Sequence, residues 1–191
     1  MTLRLNSTGG GYIEIDAPNT ASNFSLTAPI ANGTLDTTGR AGNILQVVSN
    51  QTATETSISS TSYQDTGVFE NITSTQANSK FLVLASLQYR VFRNTADTGS
   101  SIELQRNENG GSFSSLVTDG NDYAQGYCSN IGSNLEMSYR SPFHYLDSPS
   151  VASGTVLSYK IRARVRTSGN SVDFQDDNYY VSSLTILEIA A

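Results

Sequence analysis

The stretch Lys80–Phe92 reads Lys-Phe-Leu-Val-Leu-Ala-Ser-Leu-Gln-Tyr-Arg-Val-Phe and is the longest apolar run in the chain. A 13-residue helix is the rival reading, but the Val, Phe and Tyr content and the missing 3.6-residue period argue for a strand. Side chains alternate between the two faces of a strand. Phe81, Val83, Ala85, Leu87, Tyr89 and Val91 then share one face, and Leu82, Leu84, Ser86, Gln88, Arg90 and Phe92 the other. The first half is apolar on both faces, the second half on one. We therefore expect a central strand, covered on both sides at its start, with Leu84 a core position, and open on one side further along. At about 3.3 Å per residue it spans roughly 43 Å, so it should bend or run out to the rim of a sandwich.

The rest of the chain repeats the two-residue period in shorter pieces. Val156–Thr167 alternates most cleanly, with Leu157, Tyr159, Ile161, Ala163 and Val165 on one face and Lys160, Arg162, Arg164 and Arg166 on the other. Val181–Ile189 is apolar on both faces, which again suits a central strand. Ile44–Val48, Val68–Ile72, Ile102–Gln105, Phe113–Val117 and Leu135–Tyr139 read as further strands, the last broken by Ser141-Pro142 and resumed over Phe143–Leu146. Asp65-Thr-Gly67 is read as an entry turn, and Asn107-Glu-Asn-Gly110 as a hairpin, because Asn-Gly tolerates φ > 0. Ser49–Thr61 suits an edge strand or a loop, and Thr118–Ser133 an exposed loop. About nine or ten strands at regular spacing, with no amphipathic helix, predict an all-β antiparallel sandwich of jelly-roll type.

Residues 1–43 differ from this pattern. Leu3, Leu5, Ile13, Ile15, Phe24 and Leu26 mark short alternating runs separated by Gly, Asn and Thr and stopped by Pro18 and Pro29. They are too few to make a core, and an isolated hairpin is marginal in water. We expect an N-terminal arm (1–43) that docks or exchanges strands, followed by a sandwich domain (44–191) that associates with its own copies.

Composition narrows the function. Seventeen acidic against eleven basic residues give a formal charge of −6, which disfavours a nucleic-acid partner. One cysteine excludes an intrachain disulfide. No apolar run approaches the length of a membrane span. The N-terminus lacks the basic and long apolar regions of a signal peptide, so synthesis in a cytoplasm is expected.

Little in the sequence points to catalysis. His144 is the only histidine. A triad with Asp147 can be drawn on paper, but in a Ser-rich chain that means little. A packed or hydrogen-bonded sheet residue between Phe143 and Tyr145 is the simpler reading, and a ring of three histidines on a trimer axis a weaker one. Cys128 has no nearby cation pattern to activate it. The clusters Asp119–Asp122 and Asp173–Asp177 match no calcium-loop spacing and are explained by turn chemistry. The row Lys160, Arg162, Arg164, Arg166 is either solvated or met by carboxylates from a neighbouring strand or subunit; a solvated face is the simpler reading and an ion-paired subunit interface the next. Five Asn-x-Ser/Thr sites are what this composition yields by chance. Among ten tyrosines, Tyr123, Tyr127, Tyr179 and Tyr180 fall near expected turns and form a candidate ligand surface; simple sheet-edge caps are the alternative.

The segment Gly9-Gly-Gly-Tyr-Ile-Glu-Ile-Asp-Ala17, Pro18 and Phe24-Ser-Leu-Thr-Ala-Pro29 resembles the N-terminal part of structural proteins from cyanobacterial and marine tailed phages. Ile44–Val48, the long strand after Ser79, Tyr145-Leu-Asp-Ser-Pro149 and the ending Ser183–Ile189 are similar to their C-terminal β-sandwich domain. The resemblance implies a homotrimeric, jelly-roll-like virion protein, tail-fibre-like or decorating the capsid, and no catalytic residue, cofactor or metal. On that basis the arm, through Ile13, Ile15, Phe24 and Leu26, would meet the major capsid protein or another tail protein. Arg90, Arg162, Arg164 and Arg166 would lie at the subunit contact. The chain would sit on the virion surface as a cement protein, or as a short tail fibre recognising a host surface glycan. An enzyme such as a glycan depolymerase is set aside for want of any motif.

Overall fold

The computed structural model describes residues 2–16, 40–94, 97–129, 135–176 and 180–191. The chain divides into two compact units, Met1–Leu35 and Asp36–Ala191. In the first, strands β1 (Thr2–Asn6) and β2 (Tyr12–Asp16) pair as an antiparallel hairpin, with Leu3 opposite Ile15 and Leu5 opposite Ile13. Arg4 stacks its guanidinium on the Tyr12 ring at 3.5 Å. The expected strand carrying Phe24 and Leu26 lies outside the described residues.

The second unit is an antiparallel sandwich of strands β3 (Ile44–Thr52), β4 (Thr56–Ile58), β5 (Gln64–Thr73), β6 (Lys80–Arg93), β7 (Thr98–Glu108), β8 (Ser114–Thr118), β9 (Gly126–Cys128), β10 (Leu135–Asp147), β11 (Val156–Val165), β12 (Ser171–Phe174) and β13 (Ser182–Ile189). No α-helix occurs among the described residues. One sheet runs β3–β13–β6–β12–β4, with β10 on the opposite edge of β6. Here β6 is the organising strand. β13 pairs with Lys80–Ser86 and β12 with Tyr89–Phe92 along one edge, while β10 follows the other edge from Phe81 to Arg93. The second sheet runs β5–β11–β7, and β8 and β9 share the far edge of β7.

Alternation places the core where the sequence predicts it. Phe81, Val83, Ala85, Leu87, Tyr89 and Val91 of β6 face Leu157, Tyr159, Ile161 and Ala163 of β11, and all are buried in one cluster with Leu184 and Ile186 of β13. Each buried Val, Leu, Ile or Phe among them contributes roughly 1.5–3 kcal/mol. Chain entry is tied to chain exit: Gly42 N–H donates to the Ala190 carbonyl, and Ala190 N–H to that of Asn43.

Several expectations are corrected. The outward face of β6 is not buried at its start. Leu82 is half-buried and Leu84 exposed, because the second sheet covers one side only. β10 continues through Pro142. It is an edge strand, where a missing backbone donor leaves no ladder bond unmade. Gly67 does not begin a strand. At φ 78° it sits inside β5, where the β5–β11 register shifts between Lys160 and Arg162, so it makes a bulge. Part of the expected 118–133 loop is strand β9, which buries Cys128. The Asn109-Gly110 turn is as expected, with φ of 50° and 72°.

Candidate functional site

The basic row lies along the outward face of β11 and past its end, and three of its four charges meet carboxylates within the chain. Lys160 Nζ is 2.9 Å from Asp65 Oδ1. Arg162 pairs with Asp65 at 3.2 Å and Glu103 at 3.1 Å, and also donates to the Tyr63 carbonyl. Arg164 bonds Ser101 Oγ at 3.1 Å and lies over the Tyr63 ring. Arg166 reaches Asp97 at 3.4 Å. The carboxylates come from β5, β7 and the loop before β7, which flank β11 or its end. Each exposed pair is worth at most about 1 kcal/mol, but together they remove the like-charge repulsion that the row would otherwise carry.

Arg90 follows the same rule on the other sheet. Its guanidinium sits between Asp173 (3.2 Å), Asp176 (3.0 Å) and Glu136 (3.3 Å). Asp173 is on β12 and Glu136 on β10, so Arg90 joins the strands on either edge of β6. Asp173 and Asp176, on either side of the turn at Gln175, therefore also hold an arginine. Asp119 likewise accepts the Ile102 backbone N–H at 2.8 Å across strands.

The tyrosines of the candidate ligand loop form a small cluster. Tyr123 and Tyr127 have ring centroids 5.4 Å apart, with the Arg166 guanidinium 4.7 Å and 5.7 Å from them. Tyr127 donates to Asp97 at 3.2 Å; though the ring is exposed, local desolvation and that carboxylate push its phenol up from the ordinary value. Gly99 lies beneath, where a Cβ would come within 2.4 Å of the Tyr123 Cβ. Tyr180 is exposed, and Tyr179 lies outside the described residues.

The paper triad is not assembled. His144 points outward from β10, opposite Leu84. Asp147, three residues on, points into the core, where it accepts hydrogen bonds from Arg106 (2.6 Å) and Tyr159 (2.8 Å). His144 is a sheet residue as expected, but it is exposed and not packed between its aromatic neighbours, which face the opposite way. Burial pushes the Cys128 thiol up, the nearby Arg93 charge opposing, so it is held as the weakly nucleophilic thiol. Among the described residues, no three His, Cys, Asp or Glu side chains are grouped to hold a metal ion.

Two buried acids were not foreseen. Asp147 with Arg106 and Tyr159 is one; burial, reinforced by Asp147, drives the Tyr159 phenol far above its ordinary range. Glu188 on β13 is the other. It accepts Thr75 N–H (2.9 Å), Thr75 Oγ1 (2.8 Å), Gln76 N–H (3.1 Å) and Gln46 Nε2 (2.6 Å). It thereby fixes the turn between β5 and β6 to the end of β13. The signal was legible in hindsight: a lone carboxylate in an apolar central strand has to be paired.

No protein-family model and no curated protein matches the chain. Among solved structures it is similar to VP2 of infectious bursal disease virus. A mutant VP2 in derived T=1 particles aligns over 98% of this chain and 44% of that one, at 15% identity and a TM-score of 0.36. The Gt strain structure aligns over 98% and 46%, at 17% identity and 0.33. A VP2 subviral particle aligns over 95% and 44%, at 15% identity and 0.37. The chain spans less than half the length of these proteins. Its fold rests on the sheets described above and not on these likenesses.

Proposed function

We propose that this chain is a non-enzymatic structural protein of a tailed-phage virion. In this reading it is a homotrimeric capsid decoration protein, anchored through its N-terminal arm and carried on the virion surface. The observation that carries the reading is the division of the chain into an N-terminal hairpin unit and a sandwich with its own core. A two-stranded hairpin with Leu5 and Tyr12 exposed is a segment that gains by pairing with another protein's sheet edge. Ile13, Ile15, Phe24 and Leu26 are then the arm's contacts with the major capsid protein.

The test is deletion of residues 1–30. The truncated protein should remain a soluble trimer and no longer bind capsids. Full decoration of shells by the truncated protein would refute the reading. The alternative, a short tail fibre that recognises a host glycan, draws on the exposed Tyr123–Tyr127 pair stacked with Arg166. Counting copies per particle separates the two, since decoration needs hundreds and a tail component only tens.

A further inference from the structure

The outward face of β5–β11–β7 is polar and charged, with Asp65, Arg162 and Glu103 side by side in register. Two phenylalanines nevertheless stand on it. Phe69 of β5 is 52% exposed, and Phe113, just before β8, 37%. A hollow of about 290 Å³ is lined by both. Its floor comes from β11, where Lys160 lies opposite Phe69 and Ser158 opposite Asn71. Gly67 shapes it. The outward positions of β5 run Asp65, Gly67, Phe69 and Asn71, and the bulged glycine leaves a gap in that row. A wider hollow of about 700 Å³, lined by Ser57, Ser60 and Gln64, shares Asp65 and Lys160 with the first.

The lining selects the ligand. Lys160 Nζ is 4.1 Å from the centre of the Phe113 ring and 2.9 Å from Asp65 Oδ1. Asp65 also meets Arg162, and Arg162 meets Glu103. Two cations therefore face two carboxylates, and their charges cancel, so a polyanion gains little there. A wholly apolar ligand would strip water from the ion pair and return no hydrogen bond. Addition of a peptide strand to β5 is opposed, because the Phe69 and Thr73 carbonyls already accept from Asn50 and Gln46. The lining fits an uncharged ligand with an apolar face and a rim of hydroxyls. A pyranose ring has both. Its C–H face lies on an aromatic ring, and its hydroxyls meet the donors and acceptors of Lys160, Asp65, Asn71 and Ser158. Asn107, beside Ser158 in register, is buried, and its side-chain oxygen has no protein partner, which leaves an acceptor next to the floor. The volume lies at the small end for a ligand site and suits a short saccharide.

We infer that the hollow between Phe69 and Phe113 binds a neutral saccharide. This goes beyond the structural role above and does not rest on it. It also places sugar contact toward the start of β11, away from Arg166 and the Tyr123–Tyr127 pair. The test is a saturation-transfer NMR titration of the full-length protein. The probes are glucose, galactose, mannose, N-acetylglucosamine and their disaccharides, each taken to tens of millimolar, with sialic acid as the charged control. At least one neutral sugar should bind. Phe69→Ala and Phe113→Ala should each weaken that binding at least about tenfold. Both rings are more than a third exposed, so the fold should survive, as circular dichroism would report. If Phe69→Ala does not fold, Phe69→Leu makes the same comparison, since it keeps the apolar bulk and removes the ring face. Tyr127→Ala should bind like the wild type.

The inference is overturned if no neutral sugar binds, if sialic acid alone binds, or if the Phe variants bind unchanged. Loss of binding in Tyr127→Ala with the Phe variants unaffected also overturns it, because sugar contact would then belong to the tyrosine loop. Particle proteomics tests the virion reading separately. Absence from particles with sugar binding intact refutes that reading and leaves this site standing. A protein found in particles that binds no sugar does the reverse.

Discussion

Glu188 shows how one side chain couples strand ends to pH. Burial acts to raise its pKa, but the bonds from Ser79, Gln46, Thr75 and Gln76 outweigh it and hold the carboxyl below its ordinary value. A group whose folded pKa is depressed binds protons more weakly in the native state. Its stabilisation is complete above the unfolded pKa, about 4.3, and is lost as pH falls through the folded value. Glu188→Gln should therefore lower stability at neutral pH by about 2 kcal/mol, because its amide N–H groups would face only donors. In a chain of this size that lowers the melting midpoint by about 4–8 °C. The difference from wild type should shrink below about pH 4. Melting curves across pH check both; a gap that does not close in acid would show that the carboxylate's charge is not what matters. None of Glu188's partners was readable in advance, because Gln46 and Thr75 lie far from it in the chain. Asp147 and Arg106 are hidden for the same reason. The periodicity of a strand says which face a residue takes, not which distant strand lies beside it.

At the level of the strand, β6 separates what alternation determines from what it leaves open. Its core face was legible residue by residue, since Phe81 to Val91 at every second position are buried. Its other face departs from the expectation, because apolar side chains there are not covered: Leu82 is half-buried and Leu84 exposed. Val83 and Leu84 turn this into an experiment. Val83→Asp puts an unpaired carboxylate at a fully buried position, a cost of several kcal/mol against a total stability of about 5–15. That variant should not fold. Leu84→Asp places the same group on the outward face and should fold, at a cost of about 1 kcal/mol or less. Circular dichroism and proteolysis of the two variants decide the matter; an unfolded Leu84→Asp would mean that the outward face is needed for folding. Pro142 differs for a related reason. The sequence places a break there between two strand pieces, yet an edge strand runs straight through it and gains from it, because a proline there discourages unwanted pairing. The sequence carried no mark that β10 lies at an edge.

Over the whole molecule, charges on both sheets are met largely within the chain. Lys160, Arg162 and Arg166 of the β11 row, and Arg90 on the other sheet, meet carboxylates, so the net charge of −6 is a sum over paired and unpaired groups. The same self-sufficiency bears on the arm. The described core cluster runs from Ile58 to Ile186, wholly within the unit Asp36–Ala191. The β1–β2 hairpin adds one aromatic stack, with Arg4 and Tyr12 exposed, and a lone hairpin of this kind has little stability of its own. Stability should then reside in the second unit. A protein beginning at Asp36 should unfold in one cooperative transition, with a midpoint within about 2–4 °C of the full chain, the shift expected for no more than 1 kcal/mol. Scanning calorimetry of the two proteins measures this. A drop well beyond that range would show that the arm completes the sandwich within one chain, and would remove the ground for treating it as a segment kept for another partner. An unchanged midpoint, together with lost capsid binding, would assign stability to the sandwich and attachment to the arm.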